Sequence, residues 1–272
     1  MPAGQLDTVW VRVVAEDGTW GLGQCAFGEP VSAFINTVIA PIIEGQNCMA
    51  IEHLNDLIVR VSQRFGTSGT ASTAMSGVDL ALWDLKGKIL NQPVYSLLGG
   101  PVRESITCYA TSDDLDWSQE LGFTKFKITN PSHYSDGDAG IKAVIDHVSQ
   151  ARERVGAEHD LMINPVMSYN FEFAQRLLEH LRPYNLRWLE EPLVPTDNDG
   201  LARLRKSAPW VAIATGEDHH GRHAFLDLVE KRAADILQPD LNWGGGLTEA
   251  MKIHTIGEIA GIATIPHGGA NN

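Results

Sequence analysis

The chain has 272 residues, is 43% hydrophobic and carries a formal net charge of −13. It is long enough to bury a large core, either as one barrel or as two smaller units, and its acidity argues against nucleic acid as a partner. No run approaches the roughly 18 apolar residues of a membrane span, and the opening MPAGQLDTVW lacks the basic-then-apolar pattern of a signal peptide. A cytoplasmic protein with no membrane partner is therefore expected.

Residues 8–24 alternate through Val9, Val11 and Val13 and turn at Asp17-Gly18, which predicts a hairpin. Helical periodicity follows over 31–43, 50–63 and 71–90, the last with Val78, Leu82, Leu85 and Ile89 on one face. The paired glycines and proline of LLGGPVRE (97–104) then break the pattern. From about residue 105, strand-like runs at 106–111, 123–129, 160–166, 186–192, 210–217, 235–240 and 262–267 alternate with amphipathic stretches. Such alternation predicts a parallel sheet with crossover helices. Cys25, Cys48 and Cys108 are scattered, so neither a disulfide framework nor a zinc ribbon is expected.

Polar groups recur where these runs end. Asn164, Glu190, Glu217, Asp240 and His267 close five successive runs at spacings of 26, 27, 23 and 27 residues. A doubly wound sheet would carry a glycine-rich phosphate loop, and neither GxGxxG nor GxxxxGK occurs. A (β/α) barrel gathers strand-end groups around one axis, so the pattern favours a barrel. Residues 105–272 supply seven strands, whereas a complete barrel has eight.

The convergence suggests chemistry. Asn164, Glu190 and Glu217 offer hard oxygen donors of the kind that suit Mg²⁺. Lys125 and Lys127, two apart on one strand, share a face, and Asp240 can orient His267 as a general base. A metal between proton-transfer groups points to removal of a weakly acidic proton next to a carboxylate. His219 and His220 beside Glu217 raise a zinc alternative, but adjacent histidines on one loop rarely chelate one ion. His53, His147, His180 and His254 fall in helical patterns and read as structural or surface residues.

The segments ALWDLKGKILNQPVYSLLGGPVRE (81–104), KFKI (125–128), WLEEPL (188–193), ATGED (214–218), DILQPDLNWGGGLTE (235–249) and IPHGG (265–269) resemble the mandelate racemase group of the enolase superfamily. The VMSYN and GEDHHGRHAF segments are similar to acid-sugar dehydratases of that group. The resemblance covers essentially the whole chain. It implies an α+β capping domain (1–104) followed by an incomplete enolase-like (β/α) TIM-type barrel (105–272), with Mg²⁺ as cofactor. The implied reaction converts an aldonate such as L-rhamnonate to a 2-keto-3-deoxy acid through an enediolate. The implied metal ligands are Glu190, Glu217 and Asn164, the last standing where aspartate is usual, so a weaker hold on Mg²⁺ is expected. His267 takes the place of the base, with Asp240 as its partner. Lys127 and Lys125 match the catalytic lysine pair, and Lys125, Asp218 and His219 are implied to contact substrate. A homo-oligomer is implied as well.

Relative to this group, the first cap strand and the eighth barrel strand are expected to be missing. Two rival expectations follow: racemisation or cycloisomerisation on the same residues, or a non-catalytic fragment or paralogue.

Overall fold

A computed structural model describes residues 7–268. The hairpin pairs β1 (Val9–Val14) with β2 (Trp20–Cys25) in antiparallel register, Val11 opposite Gly23, around a left-handed Gly18. Helical structure then runs through α1 (Gly28–Phe34), a π-helical turn at Ile35–Ile39 and α2 (Ala40–Ile43). The single helix expected over 31–43 is thus interrupted. Pro41 has no N–H to give to the regular ladder, and the widened turn lies immediately before it. Next come α3 (Ile51–Ser62), α4 (Thr70–Leu90) and the short α5 (Val94–Leu97). On α4, Val78, Leu82 and Leu85 are buried as expected, but Ile89 is exposed near the end of the helix.

The hairpin lies against α4 through its glycines. A Cβ on Gly23 would fall on the carbonyl oxygen of Gly77 and come within 2.6 Å of the Ala81 nitrogen, and one on Gly21 would reach 2.7 Å from Leu85 Cβ. Backbone therefore touches backbone, which only glycine permits. Val11 and Cys25 of the hairpin, Val31 of α1, Leu54 of α3 and Val78 of α4 form the core of this part.

The second part alternates: β3 (Ala110–Thr111), α6 (Leu115–Glu120), β4 (Lys125–Thr129), α7 (Gly137–Val155), β5 (Asp160–Asn164), α8 (Phe171–Leu181) and β6 (Trp188–Glu190). It continues through α9 (Asn198–Ser207), β7 (Ala212–Thr215), α10 (Gly221–Glu230), β8 (Ile236–Leu237), α11 (Gly246–Ala260) and β9 (Ala263–Thr264). All seven strands pair in parallel in chain order, β3 to β9, so the predicted crossover sheet is present. Among the described residues β3 pairs only with β4 and β9 only with β8, which leaves the sheet open. The strands are shorter than the apolar runs suggested. Pro239 cannot donate to a ladder after β8 and Pro266 cannot after β9, yet His267 rejoins it through a parallel bridge to Asp240. Amphipathic helices bury Val144, Leu177, Leu201 and Phe225 against the outer face of the sheet. Met162, Trp188, Ala214 and Ile236 form a separate cluster with Tyr109.

Helix α4 also meets α11. The N-cap of α11 is Gly245, which has no side chain to accept the first N–H groups. Asp79 of α4 supplies the acceptor, taking the Thr248 N–H at 3.0 Å and contacting the Thr248 hydroxyl at 2.5 Å. The Trp83 indole N–H donates to that hydroxyl at 2.9 Å, and the Gly245 N–H donates to Ser76 Oγ at 2.8 Å. Burial raises the Asp79 carboxyl to about 6, although the Thr248 bonds oppose the rise. A carboxyl raised from 3.8 to about 6 on folding favours the native state fully below pH 3.8 and loses that contribution as pH passes 6. Asp79→Asn, which stays neutral, is therefore expected to gain relative to the parent chain as pH rises from 4 to 8. The gain has an upper bound of about 3 kcal/mol, read from urea melts of both proteins at each pH. A constant difference across that range would contradict the ionisation argument.

Candidate active site

Five strands deliver polar side chains to one end of the sheet. Asn164 and Glu190 are the last residues of β5 and β6, Glu217 lies two beyond β7, and Asp240 and His267 three beyond β8 and β9. The short parallel strands stop in step, so these groups converge although they are far apart in sequence.

The proton-transfer pair is well defined. His267 Nδ1 lies 2.8 Å from Asp240 Oδ2, and Asp240 Oδ1 accepts the N–H groups of Asn242 at 2.6 Å and Trp243 at 3.1 Å. With the carboxylate held this way, Nδ1 carries the proton it donates, and Nε2 faces the interior, 3.2 Å from Glu217 Oε2. Burial pulls the imidazole pKa down, but the Asp240 hydrogen bond and the Glu217 charge reverse this, and the net shift is upward. Trp243 stacks beside the ring at 5.4 Å and ties its indole N–H to the Glu217 carbonyl at 2.5 Å.

Glu190 is fully buried and clamped. Its Oε2 accepts the Trp188 indole N–H at 2.8 Å and the Gln238 amide at 2.9 Å, while Oε1 accepts the Asn164 amide at 3.0 Å and the Lys127 ammonium. Burial lowers the Lys127 pKa, but Glu190, Tyr109 and Glu217 together outweigh it, so the net shift is upward and the lysine is charged. Glu217 is raised by burial, partly countered by His267. Its Oε2 is buried without a hydrogen-bond partner, a state that calls for a cation.

Among the described residues, no three His, Cys, Asp or Glu side chains are arranged to hold a metal. Asn164 stands beside Glu190 without a carboxylate of its own. Its Oδ1 accepts the Val166 N–H at 2.8 Å, and its amide nitrogen faces Glu190. That bond holds Val166 at φ 48, followed by Met167 at φ 60 and opposite Glu191 at φ 40, a strained stretch for residues other than glycine. An aspartate would present a second, charged oxygen where the Asn164 amide nitrogen now faces Glu190, whereas asparagine offers a cation only the remaining lone pair of the neutral Oδ1 that already accepts from Val166. Glu217 Oε2, which makes no hydrogen bond, is free to meet a divalent cation, and a cation shared with Glu190 would take the place of the Lys127 or Asn164 donor at Glu190 Oε1.

Other expected residues fall elsewhere. Lys125 shares a face with Lys127 but is the first residue of β4, two residues nearer its start, and pairs with Asp160 at the start of β5. Two residues along a strand span about 6.6 Å, so Lys125 is not brought to the carboxylates and is corrected to a strand-start ion pair. His219 is also displaced from its expected substrate contact: it is buried, with Nε2 3.1 Å from Asn198 Oδ1. Burial and the neighbouring His220 push its pKa down to about 4. His220 instead contacts Ser72 at 2.8 Å, so the two histidines do not share an ion. Asp218 is half-buried in the same loop. Gly269, the last residue of the IPHGG segment, lies outside the described residues.

Sequence reasoning missed Trp188, Gln238 and Glu191. Trp188 was open to detection, being two residues before Glu190 and so on its face. Glu191 turns the other way, accepts from Thr215 Oγ at 2.9 Å and Gly216 N–H at 2.6 Å, and is raised by burial to about 8. Its bonds tie the ends of β6 and β7 together, and burial favours its neutral form.

Known proteins share this arrangement of elements. Residues 3–99 match the mandelate racemase / muconate lactonizing enzyme N-terminal domain, and residues 113–272 match the enolase C-terminal domain-like family. An L-rhamnonate dehydratase of Saccharopolyspora erythraea is 40% identical over 264 residues, covering 97% of this chain and 68% of that protein. The crystal structure of rhamnonate dehydratase from Gibberella zeae complexed with Mg superposes with a TM-score of 0.94 at 32% identity, covering 97% of this chain and 65% of that one. The 3,6-anhydro-D-galactonate cycloisomerase of Zobellia galactanivorans gives 0.88 at 31% identity, covering 96% and 74%. This chain thus spans about two thirds of the length of the dehydratases it matches. With both family models matched in order and the parallel sheet in place, the chain belongs to the mandelate racemase and muconate lactonizing enzyme family of the enolase superfamily.

Proposed function

We propose that the chain carries the site of an acid-sugar dehydratase, a hydro-lyase that takes water from an aldonate such as L-rhamnonate to leave a 2-keto-3-deoxy acid. The observation that carries this reading is the His267–Asp240 pair facing Glu217, Glu190 and Lys127 across the strand ends. Likeness to two proteins named as rhamnonate dehydratases supports it. In this reading residues 1–104 form the cap and 105–272 the barrel portion.

His267 Nε2 takes the C2 proton, and Asp240 holds Nδ1–H so that the resulting imidazolium is stabilised. The electrons of the broken C–H bond move into the carboxylate to form the enediolate. Lys127 supplies a fixed positive charge in the buried interior for that developing charge. Glu190 and Glu217 are the residues that would hold Mg²⁺, and the ion would supply Lewis acidity for the developing enediolate. Trp188 and Gln238 hold Glu190 in place through its second oxygen. The enediolate then expels the 3-hydroxyl, which leaves as water with the proton from the His267 imidazolium. The enol left behind ketonises to the 2-keto acid.

Incubating the full chain and Mg²⁺ with a panel of aldonates tests this by appearance of a 2-keto acid. The cycloisomerase likeness favours one alternative, ring opening or closure without loss of water, which the same assay separates by product mass.

Asn164→Asp is expected to tighten divalent-cation binding about tenfold, since the added oxygen would complete a three-carboxylate set. Mn²⁺ titration followed by electron paramagnetic resonance measures it; unchanged affinity would show that Asn164 does not limit the site.

A further inference from the structure

A cavity of about 1100 Å³ opens at the N-terminal ends of the strands, the end of the sheet opposite the candidate site. Segments leading into β5, β6, β7 and β8 line it, together with the end of α9. Its charge is opposite to that of the chain. Arg187, Arg203, Arg205, Lys206, Lys231 and Arg232 line the wall against only two acids, Asp160 and Asp235. Acids outnumber Lys and Arg by 34 to 21 in the whole chain, so an even spread of charge would give the reverse.

Part of this basic wall has a structural explanation. Arg205 and Lys206 occupy the last turn of α9, where positive charge complements free carbonyls. Lys231 caps α10 and lies 3.4 Å from Asp199 and from Asp227. Arg205 bonds Asp235 at 2.6 Å, and Lys125 pairs with Asp160, so both acids of the wall are already neutralised. Among the described residues Arg187, Arg203, Lys206 and Arg232 have no carboxylate within ion-pair distance. Arg203 is fixed over the Phe171 ring at 3.8 Å. Arg232 takes the left-handed position that ends α10, at φ 54, with Ala233 N–H bonded back to the Leu228 carbonyl at 2.8 Å, which sets the direction of its side chain. Helix-end compensation accounts for Arg232, which directly follows the C-cap of α10, but not for Arg187, which lies on the loop into β6. The Trp210 ring joins the same wall.

We propose that this cavity is a binding site for a compact polyphosphate anion, either free pyrophosphate or the phosphates of a nucleotide. Guanidinium forks match phosphate oxygens bidentately, and several uncompensated cations around one concavity favour a ligand with more than one phosphate. The strand ends that carry His267 and Glu217 lie at the other end of the sheet, so this site is separate from the proposed chemistry.

Calorimetric titration of the full chain with sodium pyrophosphate, in low salt without divalent cations, tests the proposal, and ADP in a parallel titration distinguishes the two sources. Saturable binding of one pyrophosphate per chain is expected, weakened at least tenfold in Arg187→Ala/Arg232→Ala. The control Arg60→Ala/Lys142→Ala, which removes two exposed cations from other helices, is expected to change it less than twofold. Mn²⁺ affinity unchanged in the Arg187/Arg232 variant confirms that the fold and the opposite end of the sheet are intact. Tighter binding of ADP would add a base contact, with Trp210 the ring available for it; equal or weaker binding would leave pyrophosphate itself as the ligand. Absence of saturable binding, equal loss in the control variant, or loss in Lys127→Met instead of Arg187→Ala/Arg232→Ala would overturn the proposal.

Discussion

His267→Asn is expected to lower dehydration of the best aldonate by about 10²- to 10⁴-fold in kcat, the range over which a positioned general base contributes. The replacement is chosen because its amide can still donate to Asp240, so the buried carboxylate keeps a partner and the fold is preserved. Divalent-cation binding should survive, since His267 provides no oxygen, and circular dichroism should match the parent chain. Exchange of the C2 proton with solvent should vanish along with product formation. Activity retained within tenfold would show that another group takes the proton. Glu217 could not easily replace it: its oxygen already serves as the neighbour of Nε2, at 3.2 Å.

The second large effect concerns stability. Gly23→Ala would push a methyl group into the backbone of α4, which has no rotamer with which to retreat. A cost of at least about 3 kcal/mol is expected, at the upper end of overpacking, lowering the melting temperature by several degrees in a chain of this size. Gly18→Ala is the comparison. That glycine has φ 84 but open space around it, so only the conformational cost of about 1 kcal/mol applies. If both variants melt together, close packing of the hairpin on α4 is not what holds this part of the fold.

The elements legible in the sequence were those governed by a repeat. Parallel strands of similar length, each followed by a helix, place their terminal residues at one level, so Glu190, Glu217, Asp240 and His267 could be assigned to one end of the sheet from spacing alone. Depth along a strand was not legible in the same way. Lys125 and Lys127 share a face, but the face runs the length of the strand, and only the pairing with Asp160 shows that Lys125 belongs at its start. Asn164 was recognisable as a departure from aspartate, yet the direction of its amide depends on the Val166 N–H, a backbone group without a sequence signature. Asp79 was equally hidden. It caps a helix more than 160 residues away because Gly245 leaves that cap open. The resemblance of its segment to a substrate loop gives no sign that His219 is buried against Asn198 and Phe225.

The central claim is that His267 removes a proton from C2 and that the 3-hydroxyl then leaves. Incubating the full chain with L-rhamnonate and Mg²⁺ in deuterated water, followed by proton nuclear magnetic resonance, tests both halves at once. The expected product is a 2-keto-3-deoxy acid with one deuterium at C3, placed there as the enol ketonises. Recovered aldonate carrying deuterium at C2 without keto acid, or aldonate unchanged by folded, metal-bound protein, would contradict it.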